Sequence, residues 1–388
     1  TVEKSALLFV FLTLGTVGIA LLIQRQSVPV WQKRGYDRGG YEPATKQTAV
    51  NAIAQFAVYA LLAAVSACRF AIGNDYWPYR ENFKRIFNDG IVSSEFGFNL
   101  TVKALFHVFG YDNYLPVFAF FSLLTVLFFV LALRDQSDCF AFSLFLLMAN
   151  GYYFQSFNTI RYYLALAVAL YAMKFVLRRE YGKFVLLVLF FASFHKTILF
   201  VIPAYLLAYY LARTGLKKWH LIVGGAFLAS LIFGQKLYRW VIFRLYPYYE
   251  NSHFDAAHVS YAGIVKCLGA LALCGIVWWT YRKEEGTQAD KENGIVLRFY
   301  AVLNLFGIVT FLCGSFIPEV TRIGYYLVIS QVFLIPTAIG RMKKGWLREV
   351  CKWGCILAFC LYFVLLLKEL YQNDVRILPY MSWIFYYK

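Results

Sequence analysis

The sequence predicts an all-α, polytopic integral membrane protein of about twelve transmembrane helices, a single membrane domain over residues 1–388. Three observations carry that prediction. Hydrophobic residues make up 61% of the 388 and charged residues only 15%, a balance foreign to soluble domains. Apolar runs of roughly 18 residues or more recur along the chain, long enough to cross a bilayer as helices. Short loops between them hold most of the Lys and Arg, and these cations orient such a chain. A transmembrane β-barrel would alternate apolar and polar residues over strands of about ten, and these runs do not alternate.

The first run, 7–23, is not followed by a small-residue cleavage site and reads as a span, not as a secretory signal. A basic loop follows with Arg25, Lys33, Arg34, Arg38 and Lys46, irregular through Gly35, Gly39, Gly40 and Pro43, and its charge makes it cytoplasmic. Residues 51–68 cross back and open an outer loop, 69–114. Within it, 96–110 is apolar but interrupted by Lys103 and His107, which suits an interfacial or re-entrant helix better than a span. The run 115–133 returns to a tight turn at 134–138, and 139–153 is a short outward span.

A helical hairpin comes next. An apolar span from Asn158 reaches a basic turn at Arg178, Arg179 and Lys183, and a second apolar span ends at His195 and Lys196. Residues 198–211 continue inward, and 221–233 lead to a second outer loop, 235–260. Runs at 261–281, 295–313, 323–339 and 355–367 complete the set, with both termini outside if the basic loops are cytoplasmic. Outer cations concentrate in 69–103 and 236–244, which weakens the positive-inside bias as an anionic ligand on that side would require.

The polar intrusions into the hairpin carry the chemistry. Its spans are antiparallel, so Asn158 and Arg161 at the start of one meet His195 and Lys196 at the end of the other. The same topology brings Glu95, Glu319 and Arg322 to that face. An arginine at the head of an apolar helix is costly unless paired or wetted, and marks a functional position against the alternative of snorkelling to the interface. Arg161, Arg322 and Lys196, with Arg80 of the outer loop, suit a phosphate or diphosphate, because a guanidinium binds oxyanions with two parallel hydrogen bonds. The alternative for Arg322 is pairing with Glu319 one helical turn away. Glu95, a lone carboxylate entering an apolar segment, is the general-base candidate, and helix-start capping is its alternative. His195 is the second candidate, or a neutral histidine bonded to its neighbour.

Other chemistries find little support. The spacing His253–Asp255–His258 is the only metal-like pattern, and no Asp-x-Asp pair, Walker loop or nucleophile elbow is present, so neither metal nor cofactor is expected. Cys68, Cys139, Cys267, Cys274, Cys313 and Cys360 lie in apolar runs and read as inert thiols. A net charge of +17 would suggest nucleic acid in a soluble chain, but here the cations belong to the loops and no nucleic-acid partner is expected. Aromatics crowd the outer segments, among them Tyr76, Trp77 and Tyr79, as an interfacial belt or as rings on which sugars stack.

Four words occur in order over residues 75–336: Ser94-Glu95-Phe96-Gly97-Phe98, Phe157-Asn158-Thr159-Ile160-Arg161, Phe194-His195-Lys196 and Thr321-Arg322-Ile323-Gly324-Tyr325-Tyr326. This pattern resembles the EpsG branch of the Wzy-like bacterial polysaccharide polymerases, with Tyr162 standing where that pattern has glutamine. The resemblance implies a GT-C-type membrane glycosyltransferase. It would join undecaprenyl-diphosphate-linked repeat units into O-antigen, capsule or exopolysaccharide at the outer face of the inner membrane, without metal or nucleotide. It further implies Glu95 and His195 in catalysis, Arg161, Arg322, Lys196 and Arg80 on the diphosphate, and Asn158 and Tyr325 on the rest of the substrate. The implied partners are lipid-linked oligosaccharide, the membrane and a chain-length regulator. A flippase for the same lipid-linked glycan would need inverted repeats, which are not visible. A ligase would differ only in its acceptor, and an O-acyltransferase would need an acyl-donor site that nothing identifies.

Overall fold

A computed structural model describes residues 2–24, 29–32, 45–215, 217–245, 258–280, 287–371 and 375–386. They form helices α1 (Val2–Ala20), α2 (Lys46–Ala67), α3 (Tyr76–Phe87), α4 (Phe96–Phe109), α5 (Leu115–Gln136), α6 (Phe140–Ala149), α7 (Tyr152–Gln155), α8 (Ile160–Leu177) and α9 (Tyr181–Ala192). There follow α10 (Val201–Thr214), α11 (Lys218–Phe233), α12 (Gln235–Leu245), α13 (Tyr261–Thr280), α14 (Gln288–Cys313), α15 (Val320–Val328), α16 (Gln331–Arg341), α17 (Trp346–Glu369) and α18 (Trp383–Tyr386). Among the described residues, extended pairing is limited to an isolated bridge between Arg69 and Ser382. The chain is an all-α, multi-pass membrane protein. Most of the basic loop after α1 and the residues His253 and Asp255 of the metal-like spacing lie outside the described residues.

The expected count of twelve spans resolves into unequal pieces. Among the described residues nine helical segments are long and apolar enough to cross a bilayer, or ten if α11 and α12, bent by 79°, count as one. Two expected spans are short: α6 has 10 residues and α9 has 12. At 1.5 Å per residue they measure about 15 and 18 Å, against a hydrocarbon core of about 30 Å. Each reaches further through its neighbours. Gly151, at φ +82°, turns α6 into α7, and α9 runs on through Ser193 and Phe194 to His195. Helix starts are set locally, as where Thr45 and Thr48 bond reciprocally ahead of α2 and Thr287 and Asp290 do so ahead of α14.

The described residues fall into two compact units, one of 1–199 with 343–388 and the other of 200–342. In the first, α5 and α8 form the central pair, with α2 against α5, α1 against α2, α9 against α8 and α17 against α6. Helix α8 is buried nearly all round, and its Ala165, Ala167, Ala169 and Ala172 let neighbours come close. At one end of this unit, the Lys174 ammonium donates to Asp135 at 2.6 Å and to the Tyr171 hydroxyl at 2.7 Å, with both charged side chains at most 2% exposed. Arg134 also pairs with Asp135 at 2.8 Å, and Gln136 donates to the Leu170 carbonyl at 2.8 Å. These bonds offset the desolvation that an isolated buried ion would suffer. At the opposite end lie the start of α8, the end of α9 and the segments around α3 and α4.

In the second unit α14 packs against α10, α13, α15 and α16. The span made by α15 and α16 is interrupted at Ile329 and Ser330. Side chains occupy the polar groups there: Asn304 donates to Ser330 Oγ at 3.1 Å, Gln331 donates to Asn304 at 2.8 Å, and the Tyr205 hydroxyl donates to the Tyr326 carbonyl at 2.5 Å. A break inside a bilayer requires such internal partners.

Candidate functional site

The site in the first unit is built from the start of α8 outward. Arg69, just past α2, is fully buried and donates to the Phe157 carbonyl at 3.2 Å, to the Ser66 carbonyl at 2.6 Å and to Ser122 Oγ. Its guanidinium lies over the rings of Phe118 and Phe157. Burial drives its pKa down to about 10, against the upward pull of the surrounding tyrosines. The segment 68–75 is itself backed by residues 375–383, with Phe70 N–H donating to Met381 and Gly73 N–H to Arg376, each at 2.9 Å. Gly73 has φ +88°, and a Cβ there would stand 2.6 Å from Asn158 Oδ1, so only glycine lets the two segments meet. Asp75 N–H donates to Asn158 Oδ1 at 2.9 Å, and Thr159 Oγ1 donates to the Asp75 carboxylate at 3.0 Å.

In the first turn of α8, Arg161 bonds the Glu95 carboxylate through Nη1 and lies over the ring of Phe98, 5.1 Å from its centroid. Tyr79 of α3 packs at a tilt against the same Phe98 ring, 6.2 Å between centroids. Burial raises the Tyr79 pKa, although Arg161 pulls it down. Among the described residues Arg161 Nε has no partner. Glu95 sits at the N-terminus of α4 without capping it, and so its expected alternative as a helix cap is not what its side chain does. Instead it accepts from Arg161 and from the Lys196 N–H at 3.1 Å, with His195 Nδ1 3.9 Å away. The carboxylate expected to stand alone is thus paired. The Ser193 carbonyl takes the first-turn amides of α4, from Gly97 at 2.8 Å and Phe98 at 3.3 Å, and so locks Glu95 to the end of α9. His195 meets the Tyr162 ring edge-on at 5.8 Å.

Glu95, Asn158, Arg161, His195 and Lys196 therefore gather at one end of the first unit, as the antiparallel hairpin requires. For Asn158 the contacts found are with Gly73 and Asp75. Arg80 engages Asp112 with both Nε (3.3 Å) and Nη2 (2.9 Å) and stacks over the Tyr114 ring. Burial pushes the Asp112 carboxyl up, but Arg80 and Lys84 together hold it below the usual carboxylate range. In the second unit Arg322 Nε pairs with Glu319 at 2.8 Å, the loop pairing that the sequence allowed, and Glu319 itself stands at φ +56°. Tyr325 packs edge-on against Phe311, 5.9 Å between centroids.

Sequence reasoning gave no role to Asp75 or Thr159, read Tyr79 only as an interfacial or sugar-stacking ring, and overlooked the Asp135–Lys174 pair at the far end. The second had a signal: opposite charges near the inner ends of two spans that run in the same direction. Chemically, the gathered groups offer a carboxylate poised between a guanidinium and a backbone N–H, an imidazole beside it, and a guanidinium edge free for an oxyanion. A model of the EpsG family matches residues 53–382. No curated protein and no solved structure matches the chain.

Proposed function

The chain belongs to the EpsG family of polysaccharide-polymerase-type membrane proteins, and from that premise we propose that it is a GT-C-type glycosyltransferase. It joins lipid-diphosphate-linked oligosaccharide repeat units, carried on undecaprenyl diphosphate, at the outer face of the bacterial inner membrane. The product is a surface polysaccharide of the O-antigen, capsule or exopolysaccharide class. The observation that carries this reading is the Arg161–Glu95 contact at the end of an otherwise apolar hairpin, with Lys196 and His195 beside it.

A hydroxyl of one repeat unit attacks the anomeric carbon of the other, and the carbon–oxygen bond to the diphosphate breaks. The hydroxyl proton passes to Glu95, with His195 the second candidate. The charge left on the departing diphosphate falls to Arg161, with Lys196 beside it and Arg80 and Arg322 as further cations. Asn158 and Tyr325 are assigned to the sugar or the carrier, and a chain-length regulator is an expected partner. In the resting pair the guanidinium holds the carboxylate. Arrival of a diphosphate at Arg161 exchanges one anion for another and releases Glu95 to receive the proton. The sugar–diphosphate bond is already activated, so the proposed reaction draws on neither nucleotide nor metal.

The test is reconstitution. Purified protein in detergent, given lipid-diphosphate-linked repeat units without nucleotide or metal, should produce a ladder of lengthened glycans. Absence of a ladder, with movement of the lipid-linked glycan across liposomes instead, would replace the polymerase by a flippase. Transfer to a different acceptor without lengthening would make it a ligase.

A further inference from the structure

We infer that α12 is a docking surface for the phosphate headgroups of the membrane leaflet in which α11 ends, with Lys236 and Arg244 as the binding cations. The inference concerns the second unit alone and does not depend on the roles proposed for Arg161 and Glu95.

Helix α11 has 16 residues, about 24 Å at 1.5 Å per residue, and none of them is buried, so its apolar surface faces lipid. Lys217 and Lys218 mark one end. The other end comes to the boundary between acyl chains and headgroups, where flanking residues and local thinning accommodate a short span. There the chain bends by 79° into α12, which therefore runs nearly along the membrane plane. The bend is built into the sequence. A Cβ at Gly234 would stand 2.5 Å from the Ser230 carbonyl oxygen, which the Gly234 N–H approaches at 2.7 Å. Across the corner the Ser230 and Tyr238 hydroxyls share a hydrogen bond of 2.7 Å, and the Tyr238 ring stands 6.5 Å from that of Phe316.

Helix α12 contains Lys236, Arg239 and Arg244 and no acidic residue. Lys236, Trp240 and Arg244 follow one another four residues apart and share a stripe, with Leu237 and Val241 in the stripe beside it. Leu237 is 62% and Trp240 58% exposed. Lys236 and Arg244 are exposed too, and among the described residues no carboxylate pairs with either. The Arg244 guanidinium lies over the Trp240 ring, 5.7 Å from its centroid. Exposed apolar side chains beside unpaired cations, on a helix lying along the bilayer, make an interfacial helix: Leu237 and Val241 enter the acyl boundary and the cations reach the phosphates. A tryptophan between them suits the same depth. Each cation held at an anionic surface strengthens binding about fivefold. The stretch 236–244 is also one of the two that run against the positive-inside bias, and a layer of lipid phosphates accounts for its charge.

The experiment uses the full chain in nanodiscs of phosphatidylcholine and phosphatidylglycerol in equal parts, with brominated acyl chains on one lipid or on the other. The Trp240 signal is the difference in fluorescence between each protein and its Trp240→Phe counterpart. Bromine should quench that signal, with an apparent preference for phosphatidylglycerol of about fivefold or more. Lys236→Gln combined with Arg244→Gln should bring the preference close to unity while quenching persists, because Leu237 and Val241 still hold the helix at the boundary. Lys217→Gln combined with Lys218→Gln, at the other end of α11, should leave the preference as in wild type. Equal quenching by the two lipids in wild type, or a preference that survives the Lys236 and Arg244 substitutions, would overturn the inference. Quenching by neither lipid would place α12 off the bilayer and overturn it as well. A Trp240 emission shifted instead by soluble anionic polysaccharide would then give this face to the polymer.

Discussion

Glu95→Gln separates catalysis from stability more cleanly than any other single change. The carboxylate accepts from Arg161 and from the Lys196 N–H, and the two charged side chains are 15% and 21% exposed. Glutamine keeps the shape and one acceptor oxygen but removes the charge, and its NH2 must face either a guanidinium or an amide N–H. A hydrogen bond to a charged group contributes about 1.5–3 kcal/mol. Partial exposure reduces the expected stability loss to about 1–2 kcal/mol, a melting shift of a few degrees at most. Loss of a general base slows reaction by about 10²- to 10⁴-fold, or about 3–5.5 kcal/mol of barrier. Activity should therefore fall much further than folding can explain. The assay is glycan lengthening by purified protein at saturating lipid-linked substrate, with thermal melting in the same detergent. Lengthening within about threefold of wild type, with the protein folded, would refute Glu95 as the base.

Three further outcomes are expected. Arg161→Ala and Arg322→Ala should abolish polymer at normal protein levels, while Lys217→Ala, on the face assigned to the cytoplasm, should not; equal loss in all three would undo the assignment of roles. Lys174→Met removes the ammonium from the buried Asp135, which Arg134 still meets at 2.8 Å. It should destabilise by about 3 kcal/mol, and Asp135→Asn in the same chain should recover much of that, as thermal melting would report. Acid should weaken the Arg80–Asp112 contact in a defined direction: the Asp112 carboxyl lies below its ordinary range, so its stabilisation is present above that range and disappears as pH falls through the lowered value. Asp112→Asn should flatten that part of the acid melting profile.

The helical class was legible because a chain with this many apolar runs has no other way to satisfy its backbone in lipid. The meeting of Arg161 with His195 and Lys196 was legible for a similar reason, since an antiparallel hairpin brings its two open ends together. Glu95 was singled out, but its partners were not, because pairing across 66 residues depends on how α4 docks onto α9 through Ser193. Lys174 was hidden by its apolar neighbours, which make its stretch read as uninterrupted span. The region of α6 was read as a short span and that of α9 as a span, because apolar composition continues through the turns that end these helices.

The backing of residues 68–75 by 375–383 bears on how the protein comes into being. Synthesis runs from the N-terminus, so Arg161 is threaded into the bilayer well before Arg376 and Met381 exist. Until α17 has inserted and the following segment has folded back, Phe70 and Gly73 have no backbone acceptors, and the turn that grips Asn158 stays unfinished. A nascent or truncated chain therefore presents Arg161 in an unseated α8. Completion of the chain is what seats that turn, so the start of α8 is among the last parts of the first unit to be held in place.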